Sequence, residues 1–256
     1  MSANEPWWMA SPIIEQHDRA LVVRDDLLMG GSKVRFLPYV IGDAREIVFG
    51  GPFCGGAPYA LAVYAAMTGR KATLFYAKRN ALHWRQKAAF MLGADLYQIP
   101  AGRMTVVQKR ARDYAAQAGA LFLPLGFDVA AASDPFEAVM RAVAAEAGPI
   151  DEVWCAAGSG MLTRCLARAF PEAQVHGVIV GLRSRNQAQS FGPNVTLHDC
   201  PYDFADPCEA DTPFPSCKNY DAKAWEVMCQ HSRSDPKRTL MWNVAPDNAQ
   251  DLSRIL

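Results

Sequence analysis

The sequence lacks paired cysteines, long apolar runs and net charge, and along one stretch it is nearly without acids. Its seven cysteines (Cys54, Cys155, Cys165, Cys200, Cys208, Cys217 and Cys229) are odd in number, and no two stand in Cys-x-x-Cys spacing. Reduced thiols in a cytoplasmic protein are expected, with neither a disulfide framework nor a zinc site. No histidine has a partner at metal-ligating spacing, so no metal is expected, and His83, in a basic helical stretch, reads as solvated. The most apolar run, Tyr59 to Met67, is too short to cross a bilayer and is closed by Gly69-Arg70-Lys71. The first residues carry Glu5, Glu15 and Asp18 and no apolar core preceded by positive charge, so no signal peptide is expected.

Lys plus Arg and Asp plus Glu number 26 each, so net charge by itself points to no polyanionic partner. The distribution is less even. Between Gly69 and Arg112 there are ten basic residues and one acid, Asp95. Such asymmetry fits a phosphate-binding surface, and it fits solvated helix faces as well. At 256 residues and 50% hydrophobic, the chain can bury a substantial core.

Strand-like and helix-like segments alternate. Leu21-Val22-Val23, Glu46 to Phe49, Ala72 to Tyr76, Leu96 to Ile99, Leu121 to Leu123, Glu152 to Cys155 and Val175 to Val180 read as strands. Helices are predicted over 33–44, 57–68, 80–92, 105–117, 136–147 and from Met161 to Phe170. Within the first of these, Pro38 either kinks the helix or moves its start to Leu37. This alternation predicts parallel βαβ units, with ligands at the carboxyl ends of strands. Ser184 to Thr196 reads as a polar loop and Cys200 to Tyr220 as an ordered Pro-rich crossing. A short helix over 220–229 and a last strand, Thr239 to Trp242 ending at Asn243, complete the pattern.

Three glycine-rich turns carry the candidate chemistry. In Gly30-Gly31-Ser32-Lys33-Val34-Arg35, the glycines permit a tight turn, Ser32 is placed to cap a helix, and Lys33 stands at its positive end. That position favours a neutral, nucleophilic amine, although a lone Gly-Gly-Ser-Lys also fits a surface turn. Gly158-Ser159-Gly160-Met161-Leu162 joins a strand to a helix. It suits a phosphate monoester or simply a tight connection. It lacks the Lys-Ser/Thr of a nucleoside-triphosphate loop and the third glycine of a dinucleotide fingerprint. The third turn, Gly50 to Ala57, is placed to face a flat ligand with backbone.

Taken together, these turns resemble the tryptophan synthase β family of pyridoxal 5′-phosphate enzymes, fold type II. The likeness is strongest to the branch with D-cysteine desulfhydrase and aminocyclopropane-carboxylate deaminase. Arg24-Asp25-Asp26-Leu27 and Gly30-Gly31-Ser32-Lys33-Val34-Arg35 match that branch, as do Leu92-Gly93-Ala94-Asp95, Pro124-Leu125-Gly126 and Gly158-Ser159-Gly160. They occur in family order across 21–181. The resemblance implies an α/β, two-domain fold with parallel or mostly parallel sheets. It divides the chain into a larger cofactor domain, 1–45 with 125–256, and a smaller inserted domain, 46–124.

It also implies Lys33 as the Schiff-base residue for pyridoxal 5′-phosphate, with Cys54, Gly55, Gly56, Gly158, Ser159, Gly160, Met161, Leu162 and Asn243 around the cofactor and Tyr220 as an acid/base. A homodimer is expected. The chain departs from the family where an asparagine normally touches the ring hydroxyl: it reads Cys54-Gly55-Gly56-Ala57-Pro58. Met161 and Leu162 replace glycine and threonine in the phosphate loop, leaving backbone donors and Thr163. Asn243 stands where a serine or threonine usually meets the pyridine nitrogen. That neutral partner makes a weaker electron sink than a carboxylate and disfavours transamination.

Three functions follow. The first is a lyase acting at the Cα of an amino acid by elimination, deamination or decarboxylation. The second is a decarboxylase of an aminoacyl-modified thymine in bacteriophage DNA, touching the strand through 69–112, since enzymes resembling this fold are associated with such pathways. The third is a cofactor-binding protein without turnover.

Overall fold

The structure, a computed structural model, describes residues 6–100, 102–181 and 191–246. The chain divides into two compact units. Among the described residues, one unit takes in those up to Leu28 and those from Ser133 onward, and the other those from Met29 to Ala132. The sequence places the smaller domain at 46–124; the observed unit also includes the Lys33 turn, whose Gly30 packs on Ala60 and Val63 of the helix that follows Gly55.

The first unit is a six-stranded sheet in the order β1 (Ile14–Gln16), β2 (Leu21–Arg24), β10 (Thr239–Asn243), β7 (Glu152–Ala157), β8 (Gln174–Ile179), β9 (Val195–Asp199). Only β1 runs antiparallel, to β2. The other neighbours are parallel, with Trp242 opposite Cys155 and Ala157 opposite Ile179. Because strand side chains alternate, Trp154, Ala156, Val22 and Met241 line one face. They pack with Ala224, Trp225, Val227 and Met228 of α7 (Asp221–His231). Trp242 lines the other face and meets Phe136 of α5 (Ala130–Ala147) edge-on at 6.3 Å. Cys155 on that face meets the Thr163 hydroxyl of α6 (Met161–Ala169) at 3.3 Å.

The second unit is a parallel four-stranded sheet in the order β5 (Asp95–Ile99), β4 (Lys71–Ala77), β3 (Glu46–Gly50), β6 (Leu121–Leu123). Its central helix, α2 (Gly56–Met67), is buried from Ala57 to Ala65, as expected of a helix that is apolar all round. On the other face, Val107, Ala111 and Ala115 of α4 (Met104–Ala118) meet Val48 and Phe75. α3 (Trp84–Met91) and the short α1 (Leu37–Ile41) complete the unit.

The observed alternation of strands and helices is the predicted one, with local differences. α1 starts at Leu37 with Pro38 in its first turn, where the missing N–H costs no hydrogen bond. α5 starts six residues before the predicted Phe136 and carries Pro135 inside it. Strand β9 falls partly within the predicted polar loop, whose residues 184–190 lie outside the described residues. Among the described residues no helix is long and apolar enough to cross a membrane.

One polar feature of the first sheet predicts a pH response. His176 stacks on Trp154 at 4.1 Å between ring centroids, and its Nδ1 lies 2.9 Å from His198 Nε2. His231 lies 5.3 Å beyond, ring to ring. Burial holds His176 down to about 4 and lowers His198 as well, with His231 adding to the second shift and Glu152 opposing both. The unfolded chain, with histidines near 6.5, therefore takes up protons that the folded chain refuses. Stability should be complete above pH 6.5 and fall as pH drops from there towards 4, by roughly 2 kcal/mol at pH 5 once water screening is allowed for. Urea unfolding at pH 7 and pH 5 checks this. His176→Phe should flatten the dependence, and equal stability at both values would contradict it.

Candidate functional site

Lys33 lies, half-buried, in a four-residue 3-10 turn, Ser32–Arg35, entered through Gly30 (φ +85°) and Gly31 (φ +76°). A Cβ on Gly30 would come within 2.7 Å of Val34 Cγ1 and 3.3 Å of the Ala60 Cα, so only glycine lets the turn rest on α2. Two sequence expectations change here. Ser32 is the first residue of the turn and not its cap; Gly31 holds that position, with no side-chain hydrogen bond. The turn is also too short for a long-helix dipole to bear on Lys33, so its place is set by packing.

The Cys54-Gly55-Gly56 segment leaves the carboxyl end of β3 and opens α2, with Gly55 as the cap residue. Cys54 is buried, and its carbonyl accepts from Arg85 Nη1 at 2.7 Å. Arg85, only 2% exposed, thus anchors this loop from α3. Nothing in the sequence separates Arg85 from the other cations of 69–112. His83, expected to be solvated, instead caps α3 by accepting from the Arg85 backbone N–H at 3.3 Å, and it meets Phe53 edge-on.

In the first unit, the other named residues gather at the carboxyl ends of β7, β8 and β10. Gly158-Ser159-Gly160 follows β7 and opens α6, with Gly160 in the left-handed region (φ +86°) and the Ser159 hydroxyl accepting from the Met161 N–H at 3.5 Å. A Cβ on Gly181, just past β8, would lie 3.1 Å from the Gly158 Cα, and one on Gly158 would lie 2.7 Å from the Tyr220 Oη. Tyr220 is therefore seated on this turn. Burial raises its phenol well above the usual tyrosine range, Asp221 and Cys155 add to the shift, and a backbone hydrogen bond from Gly158 opposes it. Met161 is buried and Leu162 half-buried at the head of α6. Thr163 does not reach the turn: it is fully buried, with its hydroxyl on Cys155.

Asn243 ends β10, fully buried. Its Oδ1 accepts from the Ser216 hydroxyl at 2.9 Å and its Nδ2 donates to the Pro215 carbonyl at 2.9 Å. A carboxamide so held keeps one N–H and one lone pair beyond these bonds, in a fixed orientation. Beside it, Arg24 grips Asp26 through Nε–Oδ1 at 2.8 Å and Nη2–Oδ2 at 2.9 Å, and Trp242 Nε1 donates to Asp25 at 3.2 Å. The Arg24-Asp25-Asp26 signature thus locks the exit of β2.

No protein-family model and no curated protein matches the chain. Solved structures do. An ACC deaminase homologue superposes with a TM-score of 0.78 over 92% of this chain and 89% of that one, at 15% identity. A hydrogen sulfide-producing enzyme from Fusobacterium nucleatum gives 0.72 at 10% identity, over 96% and 98%. A T.th. threonine deaminase gives 0.69 at 14% identity, over 94% and 93%. The fold is that of the fold type II pyridoxal-phosphate enzymes. The fold type II architecture also accounts for the two units, each with its glycine turns at the carboxyl ends of parallel strands.

The contact between Gly158 and Tyr220 is directly testable. Gly158→Ala should lower stability by about 1–3 kcal/mol through overpacking, and Tyr220→Phe, which removes the nearest atom, should restore part of that loss. Thermal unfolding of the two single variants and the double variant measures the coupling. Strictly additive losses would contradict the contact.

Proposed function

We infer that the protein binds pyridoxal 5′-phosphate through Lys33 and acts as a lyase at the Cα of an amino-acid substrate. The observation that carries this reading is a lysine fixed by a glycine turn on a buried helix, in a chain of fold type II architecture. The residues present fit the cofactor. The Gly158-Ser159-Gly160 turn stands at the amino end of α6, where the helix's backbone dipoles favour a phosphate. Asn243 keeps an amide hydrogen for the ring nitrogen. When bound, the cofactor supplies the electron sink that lets a bond at Cα break.

The chain's own residues have separate tasks. Lys33 would hold the cofactor, and its amine would carry the proton at the substrate's Cα. Gly158, Ser159 and Gly160, with Met161 and Leu162, form the turn that borders the phosphate. Cys54, Gly55 and Gly56 border the substrate, and their small size leaves room beside it. Tyr220, seated on the Gly158 turn with its phenol raised by burial, is the acid/base of this reading. The neutral Asn243 amide favours loss of a group over transamination. The names of the structural neighbours, among them a threonine deaminase and a diaminopropionate ammonia lyase, agree with an amino-acid substrate. A homodimer in the cytoplasm is part of the same reading.

A second reading, decarboxylation of an aminoacyl group attached to thymine in DNA, draws on the small residues at Gly55-Gly56 and on the exposed cations Lys78, Arg79 and Arg103. Product analysis separates the readings. The purified protein with added cofactor is given free amino acids and, separately, aminoacyl-modified oligonucleotides, and ammonia, keto acid and carbon dioxide are measured. Product from free amino acids, lost by at least ~10³-fold in Lys33→Ala, is the expected result; carbon dioxide from the oligonucleotide alone favours the second reading. Turnover that survives Lys33→Ala would contradict both.

A further inference from the structure

The ten cations of 69–112 are not equivalent once folded. Lys71, at the amino edge of the second sheet, is ion-paired with Glu46 at 3.2 Å and with Asp95, the stretch's one acid, at 3.0 Å. Arg70 donates to the Ala44 and Gly42 carbonyls at the same edge. Arg85 holds Cys54, Lys109 pairs with Asp113 at 2.6 Å, and Arg112 lies over the Phe122 ring at 5.1 Å. Lys87 and Arg110 are exposed on helices.

Lys78, Arg79 and Arg103 remain. All three follow the carboxyl ends of β4 and β5 at the surface, and among the described residues none makes an ion pair. A cavity of about 650 Å³ opens there, lined by Phe53, Ala77, Lys78, Arg79, Asn80 and the 81–83 turn, with no acid in its wall. Arg79 stacks on the Phe53 ring, Cζ to centroid 3.6 Å. Stacking covers the guanidinium's face and leaves its edge donors directed along the plane, the geometry that takes two oxygens of a phosphate. Lys78 adds a mobile point charge, and Asn80 an amide donor. Gly102 brings the β5–α4 connection against Ala77, since a Cβ there would lie 3.1 Å from the Ala77 Cα; this keeps Arg103 on the same edge.

We propose that this pocket at the carboxyl edge of the second sheet, built on Lys78, Arg79 and Phe53, binds a phosphate group of a ligand, as a phosphate monoester or as a phosphodiester in a strand. The site does not depend on Lys33 carrying a cofactor. Two cations with no acid beside them suit a dianion or a strand of monoanions. The acids of the sheet stand at its opposite edge, where Asp95 and Glu46 neutralise Lys71.

The test compares the full-length protein with Lys78→Glu/Arg79→Glu and with Lys87→Glu/Arg110→Glu, which changes charge equally on exposed helix faces. A fluorescently labelled single-stranded oligonucleotide is titrated over a range of salt, and inorganic phosphate is titrated separately by phosphorus NMR line broadening. Thermal unfolding confirms that each variant is folded, and Arg79→Gln serves as a milder substitution. The expected result is a loss of about tenfold or more in the pocket variant, less than about threefold in the helix-face variant, and a salt slope lowered by about 1–2 for the oligonucleotide. Phosphate binding without oligonucleotide binding, with the same variant pattern, assigns the pocket to small phosphate esters. Equal losses in the two charge-changed variants, or no loss in the pocket variant with either probe, would overturn the proposal.

Discussion

At Gly30 the backbone runs so close to α2 that a single added carbon would strike Val34 and press on the Ala60 Cα. That approach positions Lys33. The turn holding the lysine is only four residues long, and a 3-10 segment of that length has little stability of its own. Its geometry comes from lying on a helix buried from Ala57 to Ala65. The helix is in turn opened by the Gly55-Gly56 pair, whose preceding residue Cys54 is tethered by Arg85. One close approach thus ties the lysine turn to the element that begins at the Cys54 loop.

The first unit uses a different device for the same end. Its candidate residues stand at the exits of adjacent parallel strands, and buried polar bonds hold those exits. Arg24 and Asp26 pair at 6% and 4% exposure, and Asn243 is held by Ser216 and the Pro215 carbonyl. Each such group would be costly to bury without its partner, so the partners fix one arrangement. Where the backbone must approach backbone, at Gly158 and Gly181, side chains are absent altogether. The result is a rigid shelf of strand ends, with Tyr220 laid against it.

Much of this was legible in the sequence because it is written in glycine and in alternation. The interior strands are apolar runs between helices of helical period, Gly30 and Gly160 stand at positive φ, and Gly158 stands against Tyr220. The edge strands were not legible. Ile14–Gln16 and Val195–Asp199 are short and mostly half-exposed, so they lack a hydrophobic signature. Long-range polar assignments were equally hidden. Arg85 and Arg79 belong to one basic stretch, yet one is buried on the Cys54 carbonyl and the other is exposed on the Phe53 ring. Thr163 was placed at the phosphate turn by its position in sequence, but its position on α6 turns it towards Cys155.

The catalytic reading of this chain rests on Lys33, among all its lysines, being the one that bonds the cofactor. Incubating the protein with pyridoxal 5′-phosphate, reducing with borohydride and mapping the modified peptide by mass spectrometry tests this directly. A stoichiometric phosphopyridoxyl group on Lys33, lost in Lys33→Ala with the fold retained, is the predicted result. Label spread over exposed lysines such as Lys78 and Lys87, and unchanged by that substitution, would contradict it.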